Sequence, residues 1–254
     1  MRREPLVRRI GRLEAFLRRA YCALMRLFGI APFRMRAQGL TFLVGHKDLI
    51  DYRLAREGVW EAEQLEFIST HVDDRPFDLF LDIGANTGFY SLLFAKKKFA
   101  KEIFAFEPDP GNRTRLNANL EANGLSEDVW VLDYALGDKT GEATLTEGNA
   151  HNRGESYLAQ EKMPAGETTH RVSVKRFDDE LSVKGKRIYV KMDVEGYEFL
   201  ALKGMERTLR SNSCFLQIEI FADDPQKLKT AVTSLGYRFL GTVEFDLFFS
   251  NIPE

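Results

Sequence analysis

FDLFLDIGANTG, residues 77–88, is the stretch on which the fold turns. Its first part is a short apolar run ending at Gly84, the pattern of a strand buried on both faces. A helical stretch follows over 88–98. EIFAFEP (102–108) repeats the strand and is stopped by Pro108; GNRTRLNANLEA (111–122) repeats the helix, with Asn123-Gly124 as its stop. VWVLD (129–133) makes a third strand. Strands alternating with helices predict a parallel sheet wrapped on both faces, an α/β fold. The alternation pauses at EATLT (142–146) and HRVSVK (170–175), two strands around a polar, aperiodic 147–169. It resumes with IYVKMD (188–193), a helix over 198–210, CFLQIEI (214–220) and a helix over 225–235. YRFLGT (237–242) and FDLFFS (245–250), two residues apart, predict a closing antiparallel hairpin. Upstream, 40–50 reads as a strand and turn and 58–71 as a helix.

In open α/β sheets the ligand crevice lies at the carboxyl ends of the strands. The loop Asp82, Gly84, Ala85, Asn86 and Gly88 therefore becomes the first candidate binding element. Asn86 stands where a dinucleotide fingerprint has its second glycine, the one that lets a pyrophosphate press on the backbone. A nicotinamide oxidoreductase is disfavoured for that reason. Glu107, 23 residues after Gly84, ends the next strand and can accept hydrogen bonds from both hydroxyls of a ribose. Together these describe a nucleoside site without phosphates, and S-adenosylmethionine is the common cofactor of that description. Asp133, Tyr134 and Ala135, at the third strand end, are expected near the adenine. Each has a plainer alternative: Asp82 as a helix cap, Glu107 as a solvated carboxylate, 133–135 as an ordinary strand end.

DIGANTG (82–88), FAFEPDP (104–110), NANLEANG (117–124), ALGD (135–138) and VKMDVEGYEFLALKGM (190–205) together resemble the FkbM family of S-adenosylmethionine-dependent methyltransferases. The resemblance covers roughly 40–250. It implies a Rossmann-like class I methyltransferase fold with seven mostly parallel strands, and usually O-methylation of sugar, glycan or polyketide-like hydroxyls. By position it assigns the methionine part of the cofactor to Asp82, Gly84, Asn86 and Gly88, and the ribose to Glu107.

Lys191, Asp193, Glu195 and Glu198 surround the end of the fourth core strand. Methyl transfer from a sulfonium is an in-line displacement, so positioning supplies much of the acceleration. A hydroxyl acceptor must also lose a proton. Asp193 is the first choice of base and Glu195 its substitute or a substrate ligand. Lys191 serves catalysis or simply pairs with one of them, and Glu198 opens the next helix. Glu219 could join Asp193 in a carboxylate pair suited to Mg²⁺, although a site without metal is the favoured reading. His151, among Asn149, Asn152 and Ser156, is an alternative base or acceptor contact.

The chain has 254 residues, 44% hydrophobic and 29% charged, enough for one large globular domain. Its net charge of -2 hides an asymmetry: residues 1–36 hold ten Arg and two Glu, or +8, which leaves -10 for 37–254. An acidic body repels phosphate, so nucleic acid is an unlikely partner. Two cysteines, Cys22 and Cys214, form no framework, and a reducing, cytoplasmic setting is the simplest inference. No apolar run is long enough to span a bilayer, and Arg12, Arg18 and Arg19 break up any signal-peptide core. Residues 1–36 thus read as a basic extension to a methyltransferase domain at 37–254, with its core at 77–250. Leu6, Ile10, Leu13, Leu17, Ala20, Leu24 and Leu27 share one helical face, predicting an amphipathic helix ended by Gly29 and Pro32. Three roles fit it: packing on its own domain or a partner, peripheral contact through 6–28 with the inner face of a membrane, or organelle targeting. A non-catalytic module tethered by this leader is the rival to an enzyme.

Overall fold

The computed structural model describes residues 6–45, 49–146, 168–220 and 225–253, and the backbone of 157–159. A leading helix α1 (Arg12–Leu27) is followed by the hairpin β1 (Phe33–Ala37) and β2 (Leu40–Val44), then by α2 (Leu49–Glu57) and α3 (Ala62–His71). The expected alternation runs β3 (Phe77–Ile83), α4 (Phe89–Lys96), β4 (Ala100–Phe106), α5 (Pro110–Asn123) and β5 (Trp130–Leu132). β6 (Ala135–Leu136), β7 (Gly141–Thr146), β8 (Tyr157–Ala159) and β9 (Thr169–Lys175) form a separate sheet in the order β6-β9-β7-β8. After α6 (Phe177–Glu180) come β10 (Arg187–Met192), α7 (Glu198–Gly204), α8 (Glu206–Ser211), β11 (Ser213–Glu219), α9 (Pro225–Ser234), β12 (Arg238–Val243) and β13 (Asp246–Ser250).

The main sheet has seven strands in the order β12-β13-β11-β10-β3-β4-β5. Its five strands from β11 to β5 are parallel, and β13 is antiparallel to both β11 and β12. This is the expected Rossmann-like methyltransferase sheet with its terminal hairpin. β3 sits in the middle because its side chains are apolar on both faces. Phe77 and Phe80 enter one core with Phe94, Phe99 and Tyr189, while Leu79, Leu81 and Ile83 enter the other with Val190 and Leu216. α5 starts where Asp109 accepts hydrogen bonds from the N–H groups of Gly111 and Asn112, with Pro110 in its first turn, and stops at Gly124.

The sequence reading missed α2, β6, β8 and α6, and three further elements differ from it. The leading helix begins at Arg12, not at Leu6: Leu6 is buried in the core, and the Arg8 N–H donates to the Gln38 side chain. β1 was hidden inside the basic leader, where Phe33, Met35 and Ala37 are buried while Arg34 and Arg36 face out. The 36/37 position therefore falls within a strand. The single helix expected over 198–210 is two helices that meet at Met205. The break is at Met205, whose backbone leaves the helical region (φ -121°), and next to it Gly204 lies so close to the chain at Gly137 that a Cβ there would sit 1.9 Å from the Gly137 carbonyl oxygen. Lys203 reaches Asp138 across the same joint (3.0 Å).

Gly204→Ala should therefore lower the thermal unfolding midpoint by roughly 6 °C or more, since a methyl cannot be placed against backbone without moving it. Lys203→Ala, which removes only a solvent-exposed ion pair, should leave that midpoint nearly unchanged. Scanning calorimetry of the two variants checks the order.

Candidate functional site

The site is built where β3, β4 and β10 end. Gly84 and Ala85 each donate a backbone N–H to the Phe106 carbonyl (2.9 and 3.0 Å), which ties the loop after β3 to the end of β4. Gly84 has φ +82°, and a Cβ on it would lie 1.8 Å from the Asp193 carbonyl oxygen, so only glycine permits this approach to the end of β10. The Asp193 N–H donates to the Ile83 carbonyl (2.9 Å), closing the contact from the other side.

Glu107 follows β4 and is buried. Its Oε2 accepts from the Asn86 N–H (2.7 Å) and its Oε1 from the Asp109 N–H (2.8 Å), so both oxygens are fixed in orientation. Burial pushes its carboxyl up to about 8, against the two backbone donors that favour the ionised form. Between Glu107 and Asp193 lies a cleft of about 580 Å³, counted out to open solvent. Gly84, Asn86, Glu107, Ala135, Asp193 and Glu195 of the sequence-predicted set line it. Ile83, Phe106, Leu136, Leu145 and Val194 make its apolar side.

The other predicted residues lie elsewhere. Asp82 is behind the loop: its Oδ2 accepts from the Ser91 hydroxyl (2.6 Å) and N–H (3.1 Å), so it caps the first turn of α4. Burial raises its carboxyl to about 6, with the Ser91 hydroxyl opposing. Gly88, at φ +85°, starts α4 and abuts Leu116 of α5. Ala85 is buried beneath the loop. Asp133 is exposed. Tyr134 packs edge-on against Phe106, with the Lys175 ammonium over its ring. Glu198 is buried and begins α7, accepting from the Gly196 N–H (2.8 Å). His151, Asn149, Asn152 and Ser156 lie outside the described residues.

Lys191 stands behind Asp193. Its ammonium is 3.4 Å from Asp193 Oδ2 and 3.9 Å from Glu219 Oε2, and it faces the Tyr90 ring at 5.1 Å. Burial opposes its charge, but Glu61, Asp193, Glu219 and Asp246 outweigh that and hold it above the usual lysine range. Burial, and then Asp193, push the Glu219 carboxyl up. The cation between Asp193 and Glu219 is thus the lysine itself. Glu61, reached through Tyr90 (2.6 Å), and Asp246, reached through Gln217 (2.8 Å), complete a buried polar network at this end of the sheet.

Asn112, Pro108 and Tyr197 line the cleft and were not anticipated. Asn112 could have been found from the Asp109-Pro110 helix start, which turns the third residue of α5 toward the strand ends. Among the described residues Asn86 Oδ1 and Asn112 Oδ1 are buried without a hydrogen-bond partner, and both residues border the cleft. Buried acceptors without partners call for a donor from outside the chain, an ordered water or a ligand. S-adenosylmethionine fits these walls. It brings an amino group, two ribose hydroxyls, an apolar-faced adenine and a positive sulfonium, against carboxylates at Glu107, Asp193 and Glu195.

A family model described as the methyltransferase FkbM domain matches residues 82–239. The chain is similar to the hexuronic acid methyltransferase AglP of Haloferax volcanii, 32% identical over 63% of this chain and 66% of that protein. It is also similar to the 2-O-methyltransferase NoeI of Sinorhizobium fredii, 24% identical over 54% of this chain and 60% of that one. The chain thus spans somewhat less than two thirds of the length of each of these curated relatives. Among solved structures, a methyltransferase FkbM from Methylobacillus flagellatus shares the fold, with a TM-score of 0.52 at 20% identity over 72% of this chain and 46% of that one. The model match takes in the glycine loop, Glu107, the Asp193 end of β10 and the Gly137–Gly204 joint, and by it the chain belongs to the FkbM methyltransferase family.

Proposed function

We propose that this chain transfers a methyl group from S-adenosylmethionine to a hydroxyl of a sugar or glycan. The observation that carries the reading is one cleft with Glu107 and two unpartnered amide oxygens at one end and Asp193 at the other. The acceptor class is supported by two relatives, one named for hexuronic acid and one for 2-O-methylation. When bound, S-adenosylmethionine supplies an electrophilic methyl on a sulfonium. Glu107, already oriented by two backbone N–H groups, accepts the ribose hydroxyls through its remaining lone pairs. Asn86 and Asn112 offer their carbonyl oxygens to the amino group. Asp193 takes the acceptor hydroxyl's proton, and Lys191 behind it fixes the carboxylate. Glu195 and Tyr197 face the acceptor side. With Lys191 filling the space between Asp193 and Glu219, the proton transfer needs no metal.

Isothermal titration with S-adenosylhomocysteine should give one site per chain, and a folded protein that does not bind it would overturn the reading. Asp193→Asn should keep that binding and lower methylation of uronic-acid glycosides by on the order of 100-fold or more. Adding EDTA should leave turnover unchanged. Affinity should rise between pH 6 and 9, because the ionised Glu107 carboxylate is the better acceptor of hydroxyl donors and it forms as pH passes about 8. In Glu107→Gln the same titrations should be weak and flat with pH.

A further inference from the structure

The leading helix is mounted with its apolar side outward. At 100° per residue, Phe16, Leu27, Ala20, Leu13, Leu24, Leu17 and Tyr21 occupy a continuous arc of about 140° on α1. Leu13, Phe16, Leu17, Leu24 and Leu27 are between 46% and 79% exposed, and no residue of α1 is fully buried. The side turned to the body is a different one. Cys22 and Met25 rest against the core, and Arg18 reaches back to the Leu54 carbonyl. A helix on a globular surface normally hides its apolar stripe. Here the stripe is what the helix presents.

Charge indicates what it is presented to. Arg12, Arg19 and Arg26, spaced by seven, form one row along the edge of the stripe and make no ion pair among the described residues. Arg19 and Arg26 continue into a groove of about 690 Å³ shared with Tyr52 and Arg56 of α2. The Arg34 and Arg36 side chains of β1 also face solvent. A second copy of this chain would set two +8 segments together. An anionic surface removes that conflict and offers hydrocarbon to the stripe.

We propose that α1 docks this protein on an anionic phospholipid bilayer. The Leu13, Phe16, Leu17 and Leu24 side chains enter the headgroup–acyl boundary, and Arg12, Arg19 and Arg26 bind lipid phosphates beside it. The proposal uses no residue of the cleft, so it stands or falls independently of the methyltransferase reading.

The test is flotation of the full chain with phosphatidylcholine vesicles, with and without phosphatidylglycerol. Wild type should float with the anionic vesicles and at least about tenfold less with the neutral ones. Phe16→Ser combined with Leu13→Ser should abolish flotation while the unfolding midpoint changes little, because these side chains are 66% and 72% exposed. Arg12→Gln, Arg19→Gln and Arg26→Gln together should weaken it by on the order of 100-fold at low salt, about fivefold for each charge. Three results would overturn the proposal. They are no flotation by wild type, equal flotation by the serine variant, or a wild-type dimer in sedimentation that the serine variant dissociates.

Discussion

Among the described glycines, the tightest approach to backbone is that of Gly84 to the carbonyl of Asp193. Two neighbouring parallel strands, β3 and β10, end side by side, with Lys191 in register with Asp82. Beyond their ends the chains must diverge toward different helices, yet here they stay in contact for one more residue. A side chain at Gly84 would force them apart. Their contact makes the loop after β3 and the segment after β10 two walls of one cleft. Glu107 then fixes the third wall, because its carboxylate holds the backbone on both sides of itself. Positioning of this kind is what an in-line displacement needs most.

The alternation of strands and helices, the sheet they form and the closing hairpin were legible because their signal is periodic. FDLFLDI buries residues of both parities, and its seven-residue length with Gly84 at its end decides for a strand over a buried helix. Glu107 and Asp193 were legible as strand ends. What was not legible depends on which way a face points. Periodicity groups the leucines of α1, but it does not say that Cys22 and Met25 would turn inward instead. Nor does it separate a motif residue that lines the cleft from one that holds the frame. Asp82 and Gly88 sit in the same heptapeptide as Gly84 and Asn86, and they serve the start of α4. α2 escaped notice because it is only nine residues long and its first two, Leu49 and Ile50, read as the end of the preceding strand and turn.

The recurring motifs can be sorted by what they hold. In NANLEANG, Asn119 and Asn123 accept the N–H groups of Leu43 and Thr41, so the helix after β4 is clamped to the β1–β2 hairpin. In ALGD and the later Lys-Gly pair, Gly137 and Gly204 touch while Asp138 and Lys203 bridge over them. Both are joints between the sheet and its attachments. The polar side chains there satisfy backbone groups or each other, and the glycines remove a steric obstacle. A sequence signature can therefore be strong without its residues reaching a substrate.

The small sheet beside the cleft sets where the chain can vary without disturbing the main sheet. The chain leaves β7 at Thr146 and re-enters β9 at Thr169, and these two residues are partners across the ladder. Whatever lies between them starts and finishes at one point on the rim, next to Leu145 in the cleft wall. Among the described residues between those two, only β8, paired with β7, ties the chain to the small sheet. A change of length elsewhere between them carries only a modest loop-closure cost, and neither the main sheet's register nor the glycine contact under the cleft has to move. The edge of the cleft and its floor are thus separate parts of the chain, free to change at different rates.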